Sequence, residues 1–313
     1  MKKIINYCCK SFILKRFVEN MEMREIYFDN SATTRVDDRV IEDMVKYMRN
    51  LYANPHSAHE FGFRAEEAME NSRKIVARAL NARSEEIIFT SGGTESDNLA
   101  IIGTFESQKE IGRKIVTDKI EHPAVLNAIR YLKSFHNAKV VELNVDSCGL
   151  VDPNQILEHL DKETILVSIM TANNEIGTIQ PIREIGKLIK DRNEDSNSRT
   201  LFHTDAVQAF SKVDIDVNQD NIDLLSISAH KFHGPKGIGI LYIRNGINID
   251  AKSRYQGYSA LATFSSSIQL MTVAEAWLLR AEAAVRGWAG AGSAQTAYET
   301  GVQASFTQHG LGS

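Results

Sequence analysis

The sequence predicts an α/β fold: a mostly parallel sheet with helices on both faces, followed by a short C-terminal helical hairpin. Short apolar runs alternate with amphipathic helical segments over most of the chain. Polar clusters follow several of the predicted strands, which is where open α/β sheets bind ligands. The 313 residues are 43% hydrophobic with a net charge of −4, as expected for one large domain and a smaller part.

Composition argues against several kinds of partner. Mild acidity without a basic block argues against nucleic acid. No apolar run approaches the ~18 residues of a membrane helix, so we expect no membrane partner. The three cysteines, Cys8, Cys9 and Cys148, form neither a zinc-binding spacing nor a disulfide framework. We therefore predict a reducing, cytoplasmic location and no metal.

The first 22 residues are predicted to be an extension ahead of the folded domain. They are basic, and charge interrupts their apolar run, residues 4–14. A secretory signal needs an unbroken apolar region and a small-residue cleavage site, and this segment has neither. Small residues expected before a lipidated cysteine are also missing ahead of Cys8. We therefore place the large domain at residues 23–250.

The predicted elements of that domain follow at regular spacing. Strands are predicted at residues 25–28, 86–90, 114–116, 140–143, 165–170, 200–202, 222–227 and 238–243. Helices are predicted at residues 37–49, 65–80, 124–134 and 181–190, and another follows Gly93. Helix 37–49 places Val40, Ile41 and Met44 on one stripe, and proline opens helix 181–190. Strand and helix in alternation favour a parallel sheet.

Lys231 is the centre of the candidate site. Strand 222–227 leads into Ser228, His230 and Lys231, then into a turn rich in glycine and proline. A lysine held in a partly dry site loses its proton more easily and can form a Schiff base. An isolated His-Lys pair is more often a surface feature, so the residues upstream decide the interpretation.

A turn with two adjacent glycines predicts an anion site. Ser91-Gly92-Gly93-Thr94 lies between strand 86–90 and a helix. The glycines permit close backbone approach, and the start of a helix directs free N–H groups at a bound anion, best a phosphate. A Gly-Gly turn alone is weak support, and the strand before it and helix after it strengthen the interpretation.

These residues together predict pyridoxal 5′-phosphate as cofactor. That group needs a lysine, an anion site and a carboxylate that keeps its ring nitrogen protonated. Lys231, the Gly92–Thr94 turn and Asp205 supply the three. Taken singly, Asp205 could cap a helix and His122 could be a core histidine. Their combination is hard to explain by packing alone.

Seven polar motifs follow one another between about residues 25 and 249. They are Phe28-Asp29-Asn30-Ser31-Ala32-Thr33-Thr34, Asn54-Pro55-His56-Ser57, Phe89-Thr90-Ser91-Gly92-Gly93-Thr94-Glu95-Ser96-Asp97-Asn98, Glu121-His122, Asn173-Asn174-Glu175-Ile176-Gly177, His203-Thr204-Asp205-Ala206-Val207-Gln208 and Ser228-Ala229-His230-Lys231-Phe232-His233-Gly234-Pro235-Lys236-Gly237. In these motifs and their order the chain resembles the cysteine desulfurases, of the class V aminotransferase group of fold-type I enzymes.

The resemblance implies a role for each matching residue. It makes Lys231 and His122 the catalytic pair, the lysine carrying the cofactor and the histidine stacking on its ring as acid or base. The remaining cofactor-binding residues are Gly93 and Thr94, Ser228 and His230 at the phosphate, Asp205 at the ring nitrogen, Gln208 at the phenolic oxygen, and Asn174, which would also meet the substrate carboxylate.

The resemblance also implies a reaction and partners. The reaction is conversion of L-cysteine to L-alanine with sulfur transfer, for iron–sulfur cluster or thio-cofactor assembly. The implied assembly is a homodimer that works with a sulfur-acceptor scaffold protein. A different class V enzyme is an alternative within this group. The other alternative is a non-catalytic fragment that only binds cofactor.

After residue 250 the sequence departs from the desulfurase pattern. The family's arginine-bearing segment, small domain and sulfur-accepting cysteine are not recognised, and Cys148 does not map onto that cysteine. A capping box, Thr272 to Glu275, predicts a helical hairpin in residues 251–313. This part resembles the SusD/RagB family of glycan-capturing outer-membrane lipoproteins. We therefore interpret residues 251–313 as a SusD-like fragment and expect a truncated chain without independent turnover. A chimera with a glycan-binding, SusD-like tail is the alternative.

Overall fold

A seven-stranded sheet organises the larger of two structural units. The structure is a computed structural model that describes residues 26–196 and 198–250. One unit comprises residues 26–52 and 68–248, and the second comprises residues 53–67 and 249–250. The strands are β1 (Ile87–Thr90), β2 (Lys114–Asp118), β3 (Lys139–Leu143), β4 (Thr164–Ser168), β5 (Leu201–Asp205), β6 (Leu224–Ser228) and β7 (Gly239–Ile243).

The sheet is mixed and mostly parallel, as predicted. Its order is β1-β7-β6-β5-β4-β2-β3. Strands β2 to β6 are parallel to one another, whereas β7 is antiparallel to both β6 and β1. Asp205 of β5 lies opposite Ser226 of β6. The carboxyl ends of these two strands therefore meet at one edge of the sheet, where a ligand can reach both.

Six α-helices flank or precede the strands in the described part of the chain. They are α1 (Asp38–Asn50), α2 (Glu60–Leu80), α3 (Gly93–Gln108), α4 (Pro123–His136), α5 (Pro153–His159) and α6 (Ile182–Ser196). Asp37 begins α1 by accepting from the Arg39 N–H at 2.9 Å, and Asp152 does the same for α5. None of these helices has the length and apolar character that crossing a membrane requires.

The main hydrophobic cluster of the core packs α2, α5 and α6 against the strands, and α3 adds a further set of buried residues. Every residue of β4, β5 and β6 is buried. Helix α3 contributes Ala100, Ile101 and Phe105, all with no exposed surface. Helix α1 differs, because none of its residues is buried and the predicted stripe with Ile41 and Met44 is exposed.

The structure corrects two of the sequence predictions and adds one element. Residues Ile26, Tyr27 and Phe28 are exposed and belong to no strand of the described chain, so the strand predicted at 25–28 is wrong there. Pro181 precedes α6 instead of opening it. Helix α5 was not predicted, because it is only seven residues long. The predicted extension at 1–22 and hairpin at 251–313 lie outside the described residues.

Candidate active site

Lys231 ends a 3-10 turn, Ala229–Lys231, that follows β6 directly. Its Nζ donates to the carbonyl oxygens of Ser31 at 2.6 Å and Ala32 at 2.9 Å. Partial burial lowers the pKa of the amine, and Lys212 lowers it further, while Asp205 acts in the opposite direction. The amine therefore gives up its proton more readily than an exposed lysine, which a nucleophilic amine requires.

The loop at residues 29–34 gathers the residues around Lys231. Thr34 donates to the His230 carbonyl from its N–H at 2.8 Å and from its hydroxyl at 3.0 Å. The Thr33 hydroxyl lies 3.1 Å from Nδ1 of His230. Gln208 Nε2 donates to the Ser31 carbonyl at 2.7 Å, the same oxygen that Lys231 uses. Gln208, His230 and Lys231 are thus held to one loop.

Asp205 is the buried carboxylate of the site. It ends β5, is 5% exposed, and accepts from the Val207 N–H at 2.8 Å. Burial raises the pKa of its carboxyl, and the Val207 N–H, His122 and Lys231 pull it back. These neighbours make the charged form of Asp205 more favourable than it would be for a buried acid without such partners.

His122 is fixed by its position at the start of α4. Its Nδ1 accepts from the Ala124 N–H at 3.1 Å, so Nε2 is the nitrogen left to carry the proton. One ring nitrogen of His122 and one carboxylate oxygen each of Asp205 and Asp97 all lie within 4.8 Å of one another. The imidazole and the Asp205 carboxylate therefore share one small region.

Gly93 closes the site at the start of α3. A Cβ on Gly93 would lie 2.6 Å from Cγ2 of Val207 and 3.5 Å from Cβ of Ser228. Only a residue without a side chain lets the helix start approach Val207, which follows β5, this closely. Thr94, the next residue, is exposed, whereas Ser228 is buried at the end of β6. The free N–H groups of α3 and the Ser228 side chain therefore belong to one cradle.

Asn174 lies in a loop that its neighbour Asn173 holds in place. Asn173 Oδ1 accepts from the N–H groups of Glu175 at 2.9 Å and Ile176 at 3.0 Å. Asn173 Nδ2 donates to the Ile120 carbonyl at 2.9 Å, two residues before His122. Asn174 itself is half-buried. The loop that presents Asn174 is therefore tied to the turn that presents His122.

Two other parts of the sequence, around Asn54 and Cys148, form local turns. Asn54, in the second unit, accepts from the His56 N–H at 2.9 Å and forms a local turn, as predicted. Cys148 is exposed in a turn, also as predicted, and its carbonyl accepts from the Thr178 hydroxyl at 2.5 Å.

Sequence reasoning missed four contributors to the site. The carbonyls of Ser31 and Ala32, which hold Lys231, carry no side-chain signal. Asp97 and Glu121 are 1% and 4% exposed, and both stand in quoted motifs without a role assigned to them. Helical spacing could have indicated that Asp97 is buried, because Ala100 and Ile101, which lie three and four residues further along α3, are buried too.

The fold and this site define a class of protein. Residues 26–306 match the family model described as Aminotransferase class-V, which is most of the chain, so the chain belongs to that family.

Comparison with individual proteins of known sequence or structure gives a more specific similarity than the family match. The chain is 49% identical over 226 residues to "Cysteine desulfurase IscS" of Clostridium botulinum, covering 72% of this chain and 55% of that one. A solved "NIFS-LIKE PROTEIN" is 46% identical with a TM-score of 0.69, covering 72% of this chain and 60% of that one. A structure of "SspA in complex with cysteine" is 42% identical with a TM-score of 0.66, covering 71% and 62%. The match spans about half the length of the curated relatives.

Proposed function

We propose that this chain carries the pyridoxal-phosphate-binding domain of a cysteine desulfurase, acting on L-cysteine. One observation carries the proposal: the half-buried amine of Lys231 and the buried carboxylate of Asp205 lie at the same sheet edge. The names of the relatives, cysteine desulfurases among them, support the choice of reaction. So does the cysteine complex of one similar structure.

The residues fit the proposed cofactor. The cradle at Gly93 has no room for a Cβ, and it places the N–H groups of a sixteen-residue helix beside Ser228. Asp205 offers an anion for a ring nitrogen, and Gln208 offers an amide beside Lys231. When bound, pyridoxal phosphate supplies an electron sink for charge that develops on a substrate carbon.

The proposed steps of the chain's own residues concern protons and position. Lys231 binds the cofactor through its amine and then takes or returns a proton at the substrate α-carbon. His122, with Nδ1 occupied by Ala124, offers Nε2 as the second acid or base. Asn174 orients the substrate carboxylate, and Thr94 and His230 complete the phosphate site. The loop at residues 29–34 keeps the Lys231 amine in place.

Sulfur transfer needs one group more. A thiol has to come within ~3–3.5 Å of the substrate sulfur. Cys148 is the one cysteine of the described residues, and it is exposed in a turn. We propose that Cys148 is not the acceptor and that this 313-residue polypeptide alone binds cofactor without steady sulfide release. Binding without turnover is also the second candidate function.

Lys231→Ala tests the proposal directly. Borohydride reduction in the presence of pyridoxal phosphate should add one phosphopyridoxyl group to the wild-type protein, because the Lys231 amine attacks the cofactor aldehyde. Mass spectrometry should locate the group on Lys231 and find none in the variant. Lys236→Ala, five residues further and exposed, is the matched control and should react like wild type. An equal mass increase in Lys231→Ala would contradict the assignment.

A sulfide assay of the same preparations tests the proposed absence of turnover. Cysteine-dependent sulfide release that Lys231→Ala abolishes would point to Cys148 or an external thiol as acceptor. Cofactor fixation without sulfide would support the binding function alone.

Partners and domain boundaries remain proposals. A homodimer, a sulfur-acceptor scaffold and a reducing cytoplasm are proposed from the desulfurase likeness. The family match extends past the domain boundary predicted at residue 250 and continues to residue 306. The relatives reported above lend no support to the SusD/RagB interpretation of residues 251–313, and that interpretation stays a prediction outside the described chain.

A further inference from the structure

Asp97 is a buried acid beside the candidate site, in the second turn of α3. Its side chain is 1% exposed, and its Oδ1 has no hydrogen-bond partner among the described residues. His203 Nε2 lies 3.7 Å from that oxygen. Burying a carboxylate costs several kcal/mol unless a partner compensates its charge, so the state of Asp97 depends on its neighbours.

His203 does not provide a compensating charge. Its Nδ1 lies 2.9 Å from the Ser168 hydroxyl and its Nε2 lies 3.1 Å from the Ser226 hydroxyl. Burial lowers the pKa of the imidazole to about 3. The ring is therefore neutral at working pH, and its contact with Asp97 is not an ion pair.

The other acids in this region oppose a charge on Asp97. One carboxylate oxygen of Asp97 lies within 4.8 Å of one of Asp205, and a ring nitrogen of His122 lies within the same distance of both acids. Glu121 follows β2, is 4% exposed, and has no hydrogen-bond partner for either oxygen in the described chain. Asp118 ends β2 with one such oxygen. Several carboxylates this close in a dry region cannot all ionise.

The partners decide where the single negative charge lies. Asp205 has the Val207 N–H, and His122 and Lys231 favour its charged form. For Asp97, burial raises the pKa of the carboxyl and Asp205 raises it further, with only the Ser226 hydroxyl acting the other way. Burial raises the pKa of Glu121 well above its usual range, and Asp118, Asp205 and Asp97 add to the effect. The charge therefore belongs to Asp205.

We infer that Asp97 is a positioning residue of the cofactor site, whose neutral carboxyl group reserves the negative charge for Asp205. Asp205 is then free to pair with a protonated ring nitrogen. This inference rests on the proposed function, because it concerns the same cofactor. Asp97 itself makes no bond to the cofactor and keeps its proton.

Two substitutions of similar size test this role. Asp97→Asn keeps a neutral polar group, and Asp97→Leu removes the polar group. Binding of pyridoxal phosphate to cofactor-free protein is measured by equilibrium titration at about pH 7.5. We expect the dissociation constant of Asp97→Asn to stay within about threefold of wild type, and that of Asp97→Leu to rise about tenfold or more. Asp118 is a buried acid that does not belong to the group formed by Asp97, His122 and Asp205. Asp118→Asn is therefore the matched control and should bind pyridoxal phosphate like wild type.

Thermal unfolding of the cofactor-free protein gives a second readout. A neutral Asp97 holds a proton that the unfolded chain releases, so wild-type stability falls as pH rises, and Asp97→Asn lacks this loss. The gain in Tm of Asp97→Asn over wild type should grow by about 4 °C or more between about pH 5 and about pH 8. This measurement decides the inference even where Asp97→Leu does not fold.

Three results would overturn the inference. Binding by Asp97→Asn as weak as that of Asp205→Asn would place the charge on Asp97. Asp97→Leu that folds and binds like wild type, or a Tm gain independent of pH, would make Asp97 purely structural. Each of these leaves the proposed function intact if wild type binds the cofactor. A wild-type protein that binds none would overturn the proposed function, and this inference with it.

Discussion

At the scale of single residues, the site depends on how burial and neighbouring groups shift the pKa values of Lys231 and Asp205. Lys231 is made easier to deprotonate by burial and by Lys212. Asp205 is also buried, yet it receives a backbone N–H and the influence of two potential cations. Burial therefore makes the Lys231 amine easier to deprotonate, while the Val207 N–H and the neighbouring His122 and Lys231 limit the rise that burial causes in the pKa of Asp205.

Asp205→Asn tests the acid. The amide has the same shape and no charge, so it cannot hold a ring nitrogen in its protonated form. We expect a loss of cofactor affinity on the order of 3 kcal/mol, the usual cost of removing one partner of a buried charged pair. Equilibrium titration of cofactor-free protein measures it. The buried Asp118→Asn serves again as the control, and retention of wild-type affinity by Asp205→Asn would mean that another group meets the ring nitrogen.

Side chains with distinctive chemistry were predictable from sequence, and backbone contributions were not. Lys231, Asp205 and Gly93 stand in motifs whose residue types already indicate a reaction. The carbonyl of Ser31 holds Lys231 from two hundred positions away, and any residue could supply that oxygen. Asp97 escaped because one acid in a helix normally faces solvent. Only the packing of α3 against the sheet places it inside.

At the scale of elements, strand existence was predictable and strand ends were less so. The pattern indicated strands at 200–202 and 222–227, whereas β5 extends to Asp205 and β6 to Ser228. The reason is that ladder pairing continues through polar residues, as between Asp205 and Ser226. The strand predicted at 25–28 is wrong over its described part because an apolar run makes a strand only where a neighbouring strand pairs with it.

Gly93→Ala tests the contact between the start of α3 and Val207, which follows β5. The added Cβ would lie 2.6 Å from Cγ2 of Val207, whose branched side chain has little rotamer freedom. We expect unfolding free energy to fall by about 1–3 kcal/mol, measured by denaturant titration without cofactor. Gly92→Ala is the matched control, since nothing lies within 4 Å of its added Cβ and its φ of 162° is extended backbone. Equal stability of the two variants would contradict the packing argument.

At the scale of the whole molecule, buried ionisable groups set the pH dependence of stability. Burial raises the pKa of Asp118 to about 6 and that of Glu121 further above its usual range. Their contributions are complete below the unfolded pKa of about 4 and are lost as pH rises through the folded value. His203, with a pKa of about 3, contributes in the opposite direction, and its contribution is complete above about pH 6.5.

The sum predicts that cofactor-free protein loses stability above about pH 6.5, where only the acids still titrate. Glu121→Gln removes one of them while keeping its shape. We expect its Tm to exceed that of wild type by about 3 °C or more near pH 8.5 and to match it near pH 4. Differential scanning calorimetry across pH measures this, with the exposed Glu142→Gln as control. Parallel curves for wild type and Glu121→Gln would contradict the prediction.

The two hydrogen bonds from Lys231 to Ser31 and Ala32 also order events during synthesis on the ribosome. They join residues that are 200 and 199 positions apart. At roughly 5–20 residues per second, the loop at 29–34 waits roughly 10–40 s for its lysine to be translated. During that interval β2 to β5 are already available to pair, while the amine and its acceptors cannot meet. The nascent chain is therefore unable to bind the proposed cofactor at this site until most of the sheet has been translated.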